Sequence, residues 1–134
     1  MTSHSDRIHQ TSTWTDDELV RIGSAVELQI SSRRTDGSLR RFVTIWTVRH
    51  GDDIYVRSAH GPENAWFVRA VASGVGHIRA GGVEHDVAFE RPDSSVHAGV
   101  DAAYHAKYDR YGPRIVGTVV GPDAARTTLR IAPQ

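Results

Sequence analysis

The 134-residue chain has no cysteine. That excludes disulfides, thiolate nucleophiles, and zinc or iron–sulfur sites built on thiolates. No apolar run comes near the roughly 18 residues a membrane-spanning helix needs, so no membrane partner is expected. Residues 1–13, MTSHSDRIHQTST, lack the apolar core of a signal peptide and read as a flexible leader on a cytoplasmic protein. Neither sign of charge is in excess: 16 basic residues balance 16 acidic ones. Nucleic-acid binding rests on a basic surface that releases counterions, so no nucleic-acid partner is expected either. Lysine is nearly missing. Lys107 is the only one, and the other cations are arginines. The planar guanidinium suits bidentate anion recognition, although biased codon usage would give the same count.

What remains is the composition of a globular domain, 39% hydrophobic and 24% charged, long enough to bury a core without a metal or disulfide. Residues 14–134 read as that single domain. Thr15 followed by Glu18 has the spacing of a capping box, predicting a short helix with Trp14, Leu19 and Ile22 inward and Gly23 at its end. Val26, Leu28 and Ile30 alternate with polar residues as in a half-buried strand. Asp36-Gly37 marks a turn. FVTIWTV reads as a central strand, apolar on both faces, and IYVRS as the third strand of a meander of hairpins. A helix is predicted from about Pro62 to Ser73, closed by Gly74. A Gly81-Gly82 hairpin then joins VGHIRA to VEHDVAFE. The longest helix carries Val96, Val100, Tyr104 and Tyr108 on one stripe and stops at Gly112-Pro113. RIVGTVVGPDAAR reads as a connection, and TTLRIAP as the last strand. The fold class is therefore α+β, mainly β: a split β-barrel of about six strands with two or three helices.

Four groups of residues carry chemistry. Arg33, Arg34, Arg40 and Arg41 bracket the Asp36-Gly37 turn, either around an anion or as a solvated loop. In DDIYVRSAHGPENAWFVRA, alternation sets Arg57 and Tyr55 against Ile54, Val56 and Ser58. The Ser58–Gly61 turn before a helix is either an ordinary strand end or an amide cradle for a phosphate, where Gly61 lets a ligand approach. His60 stands beside it. Tyr104, Tyr108, Tyr111 and Lys107 form either core or a set of phenols that donate to a substrate. His97, Asp101 and His105 share one helix face, read as exposed, but without HExxH or HxH no metal is expected.

The order of these pieces from Ser31 to Glu90 resembles the small split-barrel flavin/deazaflavin reductases. Their arginine hairpin, apolar strand, D-G turn, strand ending in serine and small residues, and tryptophan-led helix have counterparts here. The whole chain also resembles an uncharacterised domain family placed beside them. The resemblance implies a flavin/deazaflavin-dependent oxidoreductase that moves a hydride to a small organic acceptor. The cofactor would be an 8-hydroxy-5-deazaflavin coenzyme or FMN, in a homodimer. By position it assigns Arg33, Arg34, Arg40, Ser58, Ala59 and Gly61 to the anionic arm, Thr44, Trp46 and Trp66 to the ring, and Tyr108 and Tyr111 to the acceptor; beyond these matches, Arg57 and Arg69 are further cofactor-binding candidates and His60 a further catalytic one. The departures are local: Arg-Arg stands where those proteins have Gly-Arg, Thr35 replaces a basic residue, and Arg69-Ala70 replaces Asn-Leu. Two rival readings stay open: a non-redox binding module for an anionic ligand, and a cofactor-free enzyme using His60 and the tyrosines.

Overall fold

The first element among the described residues is the helix that the capping box promised. In the computed structural model, which describes residues 13–134, α1 (Asp16–Ser24) starts with Thr15 Oγ1 accepting the Glu18 N–H and Glu18 accepting the Thr15 N–H. It runs one residue past Gly23, to a cap at Ala25.

Seven strands follow: β1 (Leu28–Ser32), β2 (Val43–Ile45), β3 (Val48–His50), β4 (Asp53–Val56), β5 (Val75–Ala80), β6 (Val83–Glu90) and β7 (Leu129–Pro133). They form one antiparallel sheet in the order β2-β1-β5-β6-β7-β4-β3. The two edge strands are consecutive pieces of one run. Only Trp46 and Thr47 separate β2 from β3, and so short a link spans no more than about 11 Å. The sheet must therefore curl until its edges meet. FVTIWTV is thus not a central strand but a bent pair of edges. The bend sits at Thr47, whose backbone groups leave the ladder for side chains. Its N–H donates to Tyr108 Oη at 3.2 Å, and its carbonyl accepts from Lys107 Nζ at 2.7 Å.

Among the described residues the α-helices number five, more than the two or three expected: α1, α2 (Ala65–Ser73), α3 (His97–Tyr108), and the single turns α4 (Pro113–Val116) and α5 (Pro122–Ala125). The last two lie in the segment read as a plain connection. Helix α2 begins after Asn64, later than Pro62, because the chain first makes a tight turn at Gly61 (φ 87°). Gly74, left-handed at φ 73°, ends it as expected.

The sheet separates two cores. One face buries Ile30, Ile54, Val56, Ile78, Val87 and Ile131 with Leu19 and Ile22 of α1 and Trp66 and Phe67 of α2. The other face of β3 and β4 presents Val48 and Tyr55 to Val100, Tyr104 and Tyr108 of α3. Period-two alternation in β4 and the i,i+4 stripe of α3 produce this division directly. Val26 departs from the pattern: it precedes the first strand and is 41% exposed.

The outer face of the β5–β6 hairpin carries a charge network. His77 lies 2.9 Å from Asp86 and 3.0 Å from Glu84, while Arg33 pairs with Asp86 and Arg79 with Glu84. Hydrogen bonding from His77 foremost, then from the arginines, holds both carboxyls below their ordinary values of 3.8 and 4.5. Carboxylates depressed in the folded state stabilise it above their unfolded pKa, and that stability disappears as pH falls through the folded value. We expect melting temperature to drop as pH is lowered below about 4.5, and to drop less in a Glu84→Gln, Asp86→Asn double variant. Equal acid sensitivity of the two proteins would show that the network is not formed in solution. The effect is small because both groups face solvent.

Candidate functional site

Two clefts adjoin on the side of the sheet where β2 and α2 approach. The larger holds about 420 Å³ and is walled by Trp46, Trp66, Val43 and Ile45, with Thr44, Asn64, Ala59, His60 and Glu27 as further lining. The smaller holds about 140 Å³ and is lined by Arg40, Arg41 and Arg69 with Ser31, Ser32 and Asn64. They share Val43, Asn64 and Trp66 as lining, so they lie side by side as a recess with an apolar aromatic part and a neighbouring basic part. A concave site of this size, mostly apolar with a few polar groups, is the usual form of a small-molecule pocket.

The basic part comes from two separate elements. Arg40 and Arg41 end the long β1–β2 loop, which is closed by a bridge between Arg33 and Leu39. Arg69 projects from α2. Among the described residues, none of these three guanidiniums has a carboxylate or hydrogen-bond partner. Like charges left together without a counterion repel, and an anion is the natural partner for them. Arg33 and Arg34, from the same hairpin, differ. Arg33 donates to Asp86 and to the Gly37 carbonyl, and Arg34 to Ser38 and the Leu39 carbonyl. Both are already satisfied and line neither cleft.

The Ser58–Gly61 turn is likewise satisfied from within. The Ser58 hydroxyl donates to the Gly61 carbonyl at 2.6 Å, and the Ser58 N–H donates to Thr127 Oγ1 at 3.0 Å. Gly61 N–H returns to the Ser58 carbonyl. Ser58 and Gly61 therefore lie in a separate groove against α5, while Ala59 and His60 reach the main recess. The turn builds the wall, and its serine has no donor left for a phosphate.

Arg57 lies at the inner wall of the recess, its side chain fully buried. Its Nε donates to Thr128 Oγ1 at 2.8 Å and its Nη1 to the Val119 carbonyl at 2.9 Å, and it pairs with Asp101. Asp101 also accepts the Gly121 N–H, so one ion pair ties β4, α3 and the α4–α5 segment together. The helix face of His97, Asp101 and His105 is thus not wholly exposed. Asp101 turns to Arg57, and His105 lies 2.7 Å from Asp109.

Tyr108 is fully buried. Its hydroxyl donates to the Val26 carbonyl at 2.6 Å and accepts from Thr47, and burial pushes its pKa up to about 12. Tyr104 is buried too, with its pKa raised by the same loss of solvent. The Tyr108 ring stacks on Trp46 at 4.0 Å, and Tyr111, 43% exposed, covers Trp46 from another side at 5.6 Å. Neither tyrosine lines the recess; together they hold Trp46 in place as its wall.

The family of uncharacterized proteins conserved in bacteria, DUF2255, matches residues 18–131, which takes in nearly all of the sheet and every side chain of the recess. The chain belongs to DUF2255. No curated protein matches this DUF2255 chain. Among solved structures, one described as a domain-swapped dimer is similar at 13% identity, with a TM-score of 0.59, covering 97% of this chain and 94% of that one. A conserved hypothetical protein of Mycobacterium tuberculosis is similar at 9% identity and TM-score 0.54, covering 91% and 81%. An F420 reductase is similar at 14% identity and TM-score 0.50, covering 86% and 90%. At such identities the likeness is one of fold.

Two features of the DUF2255 site escaped the sequence. Glu27 enters the recess from the residue before β1, and nothing in its neighbourhood sets it apart from other surface carboxylates. Asp101 becomes the partner of Arg57 across 44 residues. Burial of Arg57 in an apolar strand end is the signal that demands such a partner, since a buried charge needs one.

Proposed function

We propose that this protein is an oxidoreductase that uses a flavin or 8-hydroxy-5-deazaflavin coenzyme and passes a hydride to a small organic acceptor. The observation that carries this reading is the aromatic cleft lying beside a notch of three unpartnered arginines, with Val43, Asn64 and Trp66 lining both. The residues fit a flat ring bearing an anionic arm. Arg40, Arg41 and Arg69 bind the arm through charge-assisted hydrogen bonds, and Trp46 and Trp66 flank the ring. Asn64 and Thr44 offer hydrogen bonds to its polar edge. The coenzyme, when bound, supplies the hydride chemistry. The protein supplies binding, exclusion of water and a proton, and His60, which lines the cleft, is the proposed donor to the acceptor. Similarity in fold to an F420 reductase supports the reading.

Fluorescence titration with reduced deazaflavin coenzyme and with FMN tests it. At least one is expected to bind with Kd below about 100 μM, a weak limit for a true cofactor. Failure of both removes the proposal. A second reading is a non-redox binding module, and Glu27 favours it, because a carboxylate in the recess opposes negative charge building up on a reduced ring. A coenzyme that binds but is oxidised by no acceptor supports that reading instead. We also propose a homodimer, as the structurally similar domain-swapped dimer suggests; gel filtration at twice the 14.8 kDa chain mass is the expected result.

A further inference from the structure

The chain uses arginine at every basic position but one, and that one is set into a wall. Lys107, on α3, is half-buried in a cleft of about 390 Å³ that shares no lining residue with the aromatic recess. Leu19 and Val20 of α1, Val48 of β3 and Ala103 and Ala106 of α3 make this cleft largely apolar, with Arg49 at its edge. Lys107 Nζ donates to the Thr47 carbonyl at 2.7 Å and stands 5.1 Å from the centre of the Tyr108 ring. Among the described residues no carboxylate pairs with it. The charged and titratable groups that face it are Arg49 from β3 and Tyr108 from its own helix; α1 contributes Leu19, Val20, Gly23 and Ser24 to the cleft. Burial without a counterion brings its pKa down to about 8. An arginine at this position would stay charged at neutral pH and could not act as a nucleophile; a lysine can.

We propose that Lys107 is a carbonyl-reactive amine that forms a Schiff base with a small aldehyde bearing an anionic group, which Arg49 binds in the same cleft. Arg49 spends its Nε on the Gly51 carbonyl, and its Nη2 lies 3.9 Å from Asp52, so Nη1 is left for an anion. In the reaction the Nζ lone pair bonds to the carbonyl carbon while the π pair moves to oxygen, which takes a proton. The resulting carbinolamine loses water, formed from the carbonyl oxygen and the two amine hydrogens, and leaves a C=N bond. No oxidant or reductant takes part. None of the side chains that line this cleft lines the proposed coenzyme recess.

Glyoxylate is the probe, with acetaldehyde as its uncharged counterpart. The full-length protein is incubated with each at neutral pH, the imine is trapped with cyanoborohydride, and the sites are mapped by peptide mass spectrometry. An amino-blocked peptide with one exposed lysine is present as internal standard. The single lysine leaves only the chain's α-amine as a competitor. Lys107 is expected to be labelled by glyoxylate at least about tenfold faster than the peptide lysine, since far more of it is neutral. Glyoxylate should also outpace acetaldehyde at Lys107, and Arg49→Ala should erase that preference. Labelling of Lys107 no faster than the peptide, or confined to the α-amine, overturns the proposal. An equal rate with the two aldehydes overturns the anion-binding half of it.

Discussion

Asp101→Ala is expected to lower stability by about 3 kcal/mol, seen as a fall in melting temperature of roughly 10 °C. The substitution leaves the Arg57 guanidinium, fully buried, without its carboxylate. Its remaining acceptors, Thr128 Oγ1 and the Val119 and His97 carbonyls, are neutral. It also frees the Gly121 N–H that Asp101 accepts, so the α4–α5 segment loses its tie to α3. Asp101 is about one-third exposed, which places the cost at the low end of the range for breaking a buried pair. Urea denaturation of the two proteins measures it. A difference under about 1 kcal/mol, the usual yield of a surface pair, would mean that solvent reaches Arg57 and the pair is not buried in solution. Replacing both members, Arg57→Met with Asp101→Leu, should recover part of the loss, because well-packed apolar residues often match a buried ion pair.

The second large effect concerns binding. Arg40→Ala, Arg41→Ala and Arg69→Ala are each expected to weaken the coenzyme by about tenfold to a hundredfold, the range for a hydrogen bond to a charged group. None should change melting temperature much, since these side chains bond to nothing within the described protein. Arg33→Ala should do the reverse. It breaks the bridge to Asp86 and the bond to the Gly37 carbonyl but removes nothing from the recess. Isothermal titration on the four variants separates them. If Arg33→Ala costs as much affinity as Arg69→Ala, the notch is not where the anionic arm lies.

Local chemistry makes several parts of this fold legible in the sequence. The Thr15–Glu18 capping box, the Gly81-Gly82 hairpin and the Val100–Tyr104–Tyr108 stripe each depend on residues a few positions apart, and each is present. So is the split of β4, with Ile54 and Val56 on one side and Tyr55 on the other. FVTIWTV failed because its bend is dictated from outside the segment. Tyr108 and Lys107 pull Thr47 out of the ladder from 61 and 60 residues away. The single turns at α4 and α5 gave no period to read, being four residues each.

The site divides in the same way. The sequence by itself determined the absence of thiol chemistry, the excess of arginine over lysine, and which residues could serve an anion. It could not sort six arginines of like appearance into those already paired and those left open. That sorting depends on which carboxylates the folded sheet brings near: Asp86 reaches Arg33 across the β5–β6 hairpin and Asp101 reaches Arg57 from α3. Arg40, Arg41 and Arg69 meet because the β1–β2 loop and α2 converge on Trp66. Charge is written in the sequence, but whether a charge is neutralised is decided by distance, and only the tertiary structure fixes distances between residues far apart in the chain.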